Sequence, residues 1–212
     1  MRSLAQLILL LVVLTDFAVL GTSRLSACIR AIAAQGALLG VLPLVVEGAG
    51  SLHAVALALG TVAIKAVLLP RFLRWAIREA SVRREVEPLV GYMASFLLGA
   101  AALVVSFAVA ARLPSTGSAT ILVPVALVTV IVGLVVLITR TKAVSQVVGY
   151  LMLENGIYLF GLTQARRVPF LVEAGVLLDV FVGVFVMGIV VFHINREFDS
   201  ISAARLTELR EE

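Results

Sequence analysis

Apolar residues in this sequence come in seven blocks, each close to the length a helix needs to cross a bilayer: 3–22, 29–46, 52–72, 88–111, 120–139, 143–163 and 169–193. A hydrocarbon layer about 30 Å thick is spanned by about 20 residues rising ~1.5 Å each, and in lipid only a helix or a closed barrel satisfies every backbone group. The ten-residue alternating segments of a barrel do not occur in the sequence. The expected fold is therefore all-α, a polytopic membrane protein with seven transmembrane helices. Of the 212 residues 61% are apolar and 14% charged, against about 45–50% and about 25% in soluble domains. That balance excludes a disordered chain, a nucleic-acid binder and a disulfide-built scaffold, and a single cysteine, Cys28, cannot form an internal disulfide.

The connections are short and polar: Gly21–Arg24, Glu47–Ser51, Arg71–Glu87, Arg112–Ala119, Arg140–Lys142 and Gln164–Val168. None separates domains, so residues 1–212 are expected to form one transmembrane domain. It has a four-helix part (1–112), a three-helix part (120–193) and a tail (194–212). Lys and Arg near span ends are retained on the cytoplasmic side. With the N-terminus outside, twelve basic residues face inward and four outward, with Lys65 inside a span, which puts the C-terminal tail in the cytoplasm. Leu25-Ser26-Ala27-Cys28 has the form of a lipoprotein cleavage box, but Asp16 interrupts the apolar run before it and Arg24 stands between the two. A retained first helix is the better reading.

Ionisable groups at membrane depth carry the functional information, because a charge near the bilayer centre costs at least ~2.5–3.5 kcal/mol on insertion scales. Lys65, Glu154 and Asp179 fall near the middle of their spans, Asp16 and Glu173 off centre. Tyr150, Glu154, Tyr158 and Gly161 recur at helical spacing and give span six one polar stripe; Gly175, Asp179 and Gly183 give span seven another. A lysine sharing one depth with acids is a proton-relay design, with Glu154 and Asp179 as carriers and Lys65 as modulator of their proton affinity. The bland alternative pairs Lys65 permanently with an acid such as Asp16 and leaves Glu154 and Asp179 as neutral hydrogen-bonding groups. Asp16 and Glu173 are secondary relay candidates, and Tyr150, Tyr158 and Asn155 fit packing and hydrogen bonding better than relay. Arg71, Arg74, Arg78, Arg83 and Arg84, with Trp75, read as an amphipathic helix end that contacts lipid or a partner. No phosphate loop, His/Cys ligand cluster or nucleophile triad is present in the sequence, so no cofactor or metal is expected in this chain.

The segment Gly149-Tyr150-Leu151-Met152-Leu153-Glu154-Asn155-Gly156, followed by Leu171-Val172-Glu173-Ala174-Gly175 and Asp179, resembles the last two helices of the hydrogenase-4 component E family. The last three helices of that family are similar to the K-type subunit of respiratory complex I and to the C-type subunit of multisubunit cation/proton antiporters. Ile64-Lys65-Ala66-Val67-Leu68-Leu69-Pro70, Arg24-Leu25-Ser26 and the tail from Asp199-Ser200 to Leu209-Arg210 extend the resemblance over most of the chain. It implies a non-catalytic membrane-arm subunit of an energy-converting, group 4 type nickel–iron hydrogenase or formate-linked complex in a prokaryotic cytoplasmic (inner) membrane. Antiporter-like subunits, other membrane-arm subunits and a soluble hydrogenase-like arm would be its partners, with nickel–iron and iron–sulfur centres in those partners. Asp179 falls on the second acidic position of the K-type pattern. The first falls on Leu151, so Glu154 sits one turn further along. A stand-alone secondary transporter, an antiporter subunit and a purely structural spacer are the other readings. Against the transporter, Pro43, Pro70, Pro88 and Pro169 lie near span ends rather than interrupting a site.

Overall fold

The computed structural model describes residues 2–47, 52–79, 89–113 and 119–164, with residues 181 and 188 singly. The expected seventh span 169–193, with Glu173 and Asp179, and the tail 194–212 fall outside the described residues, as do Arg83 and Arg84. The described residues are helical without strands: α1 (Arg2–Leu20), α2 (Leu25–Glu47), α3 (Leu52–Thr61), a π-helical stretch (Val62–Leu68), α4 (Leu69–Glu79), α5 (Tyr92–Ala110), α6 (Ala119–Thr139) and α7 (Ala143–Gln164). Five segments are long and apolar enough to cross a membrane: Ser3–Leu20, Leu25–Val46, Val55–Trp75, Tyr92–Ala110 and Thr120–Thr139. Helix α7 has 22 residues, but Gln146, Tyr150, Glu154 and Asn155 dilute its apolar character. The chain is a membrane protein, and its secondary structure is all helical among the described residues.

Two boundaries differ from the sequence reading. The fourth span opens at Tyr92 rather than at residue 88, because Gly91 is extended (φ −57°, ψ 153°) and the Leu89 N–H is turned aside to the Thr139 carbonyl at 2.9 Å. The third does not end at residue 72 but continues to Glu79, since Thr61 and Leu69 at the two ends of the π stretch both keep α-helical angles. Along α4, Leu69 and Leu73 are buried while Arg71, Arg74 and Arg78 are exposed, one turn after another on the opposite face.

The π stretch has a local cause. Pro70 lacks an N–H and its ring crowds the carbonyl four residues back, that of Ala66. Widening the preceding turns relieves that crowding, and the Leu69 N–H donates to Ile64, five residues back. Lys65 stands in the middle of the widened segment.

Helices approach one another where side chains are small, as expected where lipid removes the hydrophobic drive to associate. Gly133 on α6 and Gly149 and Gly156 on α7 bring these two helices to backbone contact; a Cβ on any of the three would overlap main-chain atoms of the neighbour. On α2, Gly36 faces Lys65, where a Cβ would stand 2.7 Å from the lysine Cβ, and Gly40 faces Val62. Helix α5 turns Ser95, Gly99, Ala102, Ser106 and Ala110 inward and leaves Met93, Leu97 and Val104 exposed.

Apolar packing then falls into two bodies. One joins Val19, Leu20, Ile29, Ile32, Leu69, Leu73, Val132, Val148 and Met152. The other joins Ile8, Leu9, Val12, Leu39, Leu42, Leu122, Val125, Tyr158 and Leu159. Along α1, α2, α6 and α7 the buried polar residues Asp16, Gln35, Thr129, Glu154 and Asn155 lie where one body gives way to the other.

Gly149→Val is expected to force α6 and α7 apart and to cost about 3 kcal/mol, the upper end for overpacking. Gly60→Ala, at a helical glycine with open space around it, is expected to be neutral or to stabilise by about 0.5–1 kcal/mol. Thermal unfolding of the two purified variants in the same detergent checks the contrast.

Candidate functional site

Between the two apolar bodies, α1, α2, the π stretch, α6 and α7 each contribute at least one buried polar side chain to a single layer. Asp16, Gln35, Thr61, Lys65, Thr129, Glu154 and Asn155 are all 2% exposed or less. Gln35, Thr129, Glu154 and Asn155 lie near the middle of their helices and Thr61 and Lys65 near the middle of the segment Val55–Trp75, while Asp16 joins them from nearer the end of α1.

Lys65 forms a salt bridge with Glu154, and the side chains of the two are 3% and 1% exposed. The π stretch and α7 are thus joined by opposite charges held out of solvent. The lysine Nζ also stands 5.7 Å from the centroid of the Tyr158 ring, and the Tyr158 hydroxyl accepts a hydrogen bond from Thr61 Oγ1 at 3.3 Å. Tyr158 follows Glu154 by one helical turn, so one face of α7 presents carboxylate and ring to the same cation.

Asp16 occupies the other half of the layer with neutral partners. Gln35 Nε2 donates to Asp16 Oδ1 at 2.8 Å, and Thr129 Oγ1 donates to Asp16 Oδ2 at 2.8 Å. Gln35 Nε2 also reaches Thr15 Oγ1 at 3.1 Å. Asn155 Nδ2 donates to Gln35 Oε1 at 2.8 Å, which links α7 to α2 and through Gln35 to α1. Because Asn155 follows Glu154 directly, two adjacent residues of α7 serve the two halves: Glu154 the charged pair, Asn155 the amide bridge to Asp16.

Burial makes both halves consequential. Two unit charges in a medium of low dielectric attract strongly, but each has lost its hydration, so the pair is tolerated only while it stays paired. The amides conduct no proton as they stand. They fix orientation and carry electrostatic influence between the halves.

The sequence reading and the geometry meet unevenly. Lys65 and Glu154 come together, and so do Thr61 and Tyr158. The alternative pairing of Lys65 with Asp16 does not occur: the acid on α1 turns to Gln35 and Thr129, while the lysine turns to α7. Tyr150 is half-buried against the apolar packing. Arg71, Arg74 and Arg78 lie on the exposed face of α4, away from the layer. Gln35, Thr129 and the π stretch were missed. Thr129 is the one polar residue in the interior of its span, Gln35 precedes the close-packing Gly36, and Pro70 follows Lys65 by five residues; together these were the available signals. Among the described residues no group of three His, Cys, Asp or Glu side chains could hold a metal ion.

No family model matches the chain, and no solved structure matches it. Among curated proteins it is similar to the uncharacterized protein Rv0085 of Mycobacterium tuberculosis, 34% identical over 203 residues, 94% of this chain and 92% of the relative. It is also similar to hydrogenase-4 component E of Escherichia coli, 28% identical over 148 residues, 69% of this chain and 68% of the relative. The component E of Shigella flexneri matches to the same extent.

Lys65→Met leaves a buried carboxylate without its cation, and a loss of about 3–5 kcal/mol is expected. The double variant Lys65→Met with Glu154→Leu is expected to recover most of that loss. A double-mutant cycle read by thermal unfolding in detergent checks this, and strict additivity of the two single losses would contradict the pairing.

Proposed function

The chain belongs to the same family as the uncharacterized protein Rv0085 of Mycobacterium tuberculosis, and we propose that it is a non-catalytic membrane-arm subunit of a hydrogenase-like oxidoreductase complex that assists proton or cation translocation. The Lys65–Glu154 pair is the observation that carries this reading. A membrane spacer needs no buried ion pair for its stability, because well-packed apolar residues of the same volume replace such a pair at little or no loss. The similarity to hydrogenase-4 component E over about two-thirds of both chains supports membership of a multisubunit complex, with antiporter-like subunits beside this one and redox centres in its partners.

In this reading Glu154 is the protonatable carrier and Lys65 sets its proton affinity. When the ammonium stays close, Glu154 holds no proton. When the lysine side chain swings away, or its charge is matched by another acid, Glu154 takes one up. Asp179 is the carrier at the next step, and Asp16, Glu173 and Tyr158 are auxiliary groups. The π stretch gives the lysine a hinge, since a widened turn exchanges with a regular one by shifting a single residue. The same interruption favours a second reading, a stand-alone cation/proton transporter, because transporters place broken helices at their binding sites.

A chromosomally tagged copy purified in mild detergent is expected to bring down antiporter-like and hydrogenase-like subunits, with nickel and iron detected in the sample. Glu154→Gln is expected to leave that assembly intact and to lower proton translocation per electron by about tenfold or more. Recovery of the chain alone, with cation-driven proton movement by the isolated protein in liposomes, would select the transporter. Full coupling by Glu154→Gln within an intact complex would leave the spacer.

A further inference from the structure

Arg140, in the short connection between α6 and α7, is buried at 3% exposure. Its Nη2 donates to the Leu20 carbonyl at the end of α1, 3.2 Å away, and its guanidinium carbon stands 4.5 Å from the centroid of the Tyr92 ring. Its Nη1 is buried and has no hydrogen-bond partner. Among the described residues the one ion pair is Lys65–Glu154, so no carboxylate there neutralises this guanidinium. A carbonyl dipole and a ring face compensate part of a full positive charge, not all of it.

The guanidinium lines a small cavity together with the hydroxyl-bearing residues Thr22, Ser23 and Ser145, with room for about one water-sized group, about 10 Å³. Two long helices begin beside it: α2 at Leu25, directly after Thr22 and Ser23, and α7 at Ala143, just before Ser145. Leu25 and Cys28 of α2 and Ser145 of α7, all in the first turns of their helices, line the cavity, so the positive ends of both dipoles lie beside it. The corner therefore supplies the hydroxyls of Thr22 and Ser23 and two helix N-termini beside a buried guanidinium that meets the C-terminal ends of α1 and α6 but, among the described residues, no carboxylate. A water molecule would satisfy Nη1 but not the charge, whereas one oxygen of an oxyanion satisfies both.

We propose that this corner is an oxyanion site that takes one phosphate oxygen of an anionic phospholipid headgroup, with the rest of the phosphate at the cavity mouth. The lipid is favoured as the source because the cavity lies where the membrane segments Ser3–Leu20 and Thr120–Thr139 end, the depth of the headgroups. The site is separate from the exposed Arg71, Arg74 and Arg78 and does not rest on any relay role for Lys65 or Glu154.

The test uses the full chain purified in a neutral detergent and titrated with phosphatidylglycerol or phosphatidylcholine, with retained lipid counted by native mass spectrometry. Wild-type protein is expected to retain one phosphatidylglycerol in preference to phosphatidylcholine. Arg140→Gln is expected to weaken that binding about tenfold or more, and Arg140→Lys, which keeps the charge but loses the fork, by less. The triple variant R71Q/R74Q/R78Q is expected to keep the bound lipid. Displacement of the lipid by inorganic phosphate at matched concentration would uphold the oxyanion site and assign it to free phosphate. Equal binding of both lipids, or unchanged binding in Arg140→Gln, would overturn the proposal. Should Arg140→Gln fail to fold, Arg140→Lys and Ser145→Ala decide it by the same count.

Discussion

Two opposite charges held out of solvent, Lys65 on the π stretch and Glu154 on α7, set the terms for the rest of the structure. Neither side chain tolerates the bilayer interior alone, so the helices that carry them must dock together and at one height. That requirement fixes the register of α3 and its π continuation against α7, and α2 and α6 must then pack around the pair without adding bulk. Gly36 gives α2 room to approach the Lys65 backbone, and Gly133, Gly149 and Gly156 let α6 lie directly on α7. The small residues and the ion pair are thus one device: close backbones exclude lipid from the pair, and the pair holds the backbones in register.

Asp16 shows that a second acid at nearly the same depth is handled differently. Its donors are the amide of Gln35 and the hydroxyl of Thr129, neutral groups that orient the carboxyl group without supplying a counter-charge. Asn155, next to Glu154 in sequence, bonds to Gln35, and Gln35 bonds to Asp16, so one amide bridge runs from α7 to this acid. The layer is accordingly divided into a charge-compensated half and an amide-buffered half, joined at adjacent residues of α7. Such a division lets one half respond to the charge state of the other.

Much of this was legible in the sequence, and what was not has physical reasons. Spans of about 20 apolar residues announce helices, because lipid offers the backbone no other hydrogen-bond partners. Ionisable residues in mid-span announce a site, because their insertion cost has to be offset by something. The choice of partner was not legible. Lys65 had acids at nearby depth on several helices, and depth alone does not say which faces meet. Gln35 and Thr129 went unremarked because an amide or a hydroxyl inside a membrane helix is common and carries no charge to single it out. The π stretch was masked by its composition: Val62-Ala-Ile-Lys-Ala-Val-Leu68 is ordinary helix-forming sequence, and only Pro70 downstream disturbs it.

The sequence by itself determined that this protein is helical, that it lives in a membrane and that its polar residues lie near one depth, because these follow from length, hydropathy and periodicity along a single chain. The tertiary structure decided that Lys65 faces Glu154 rather than Asp16, that Asp16 is held by Gln35 and Thr129, and that Arg140 is buried beside two helix N-termini. Those outcomes depend on the rotation of each helix about its own axis, set by which small residues allow close approach. That rotation is a property of packed pairs of helices and is written in no one of them.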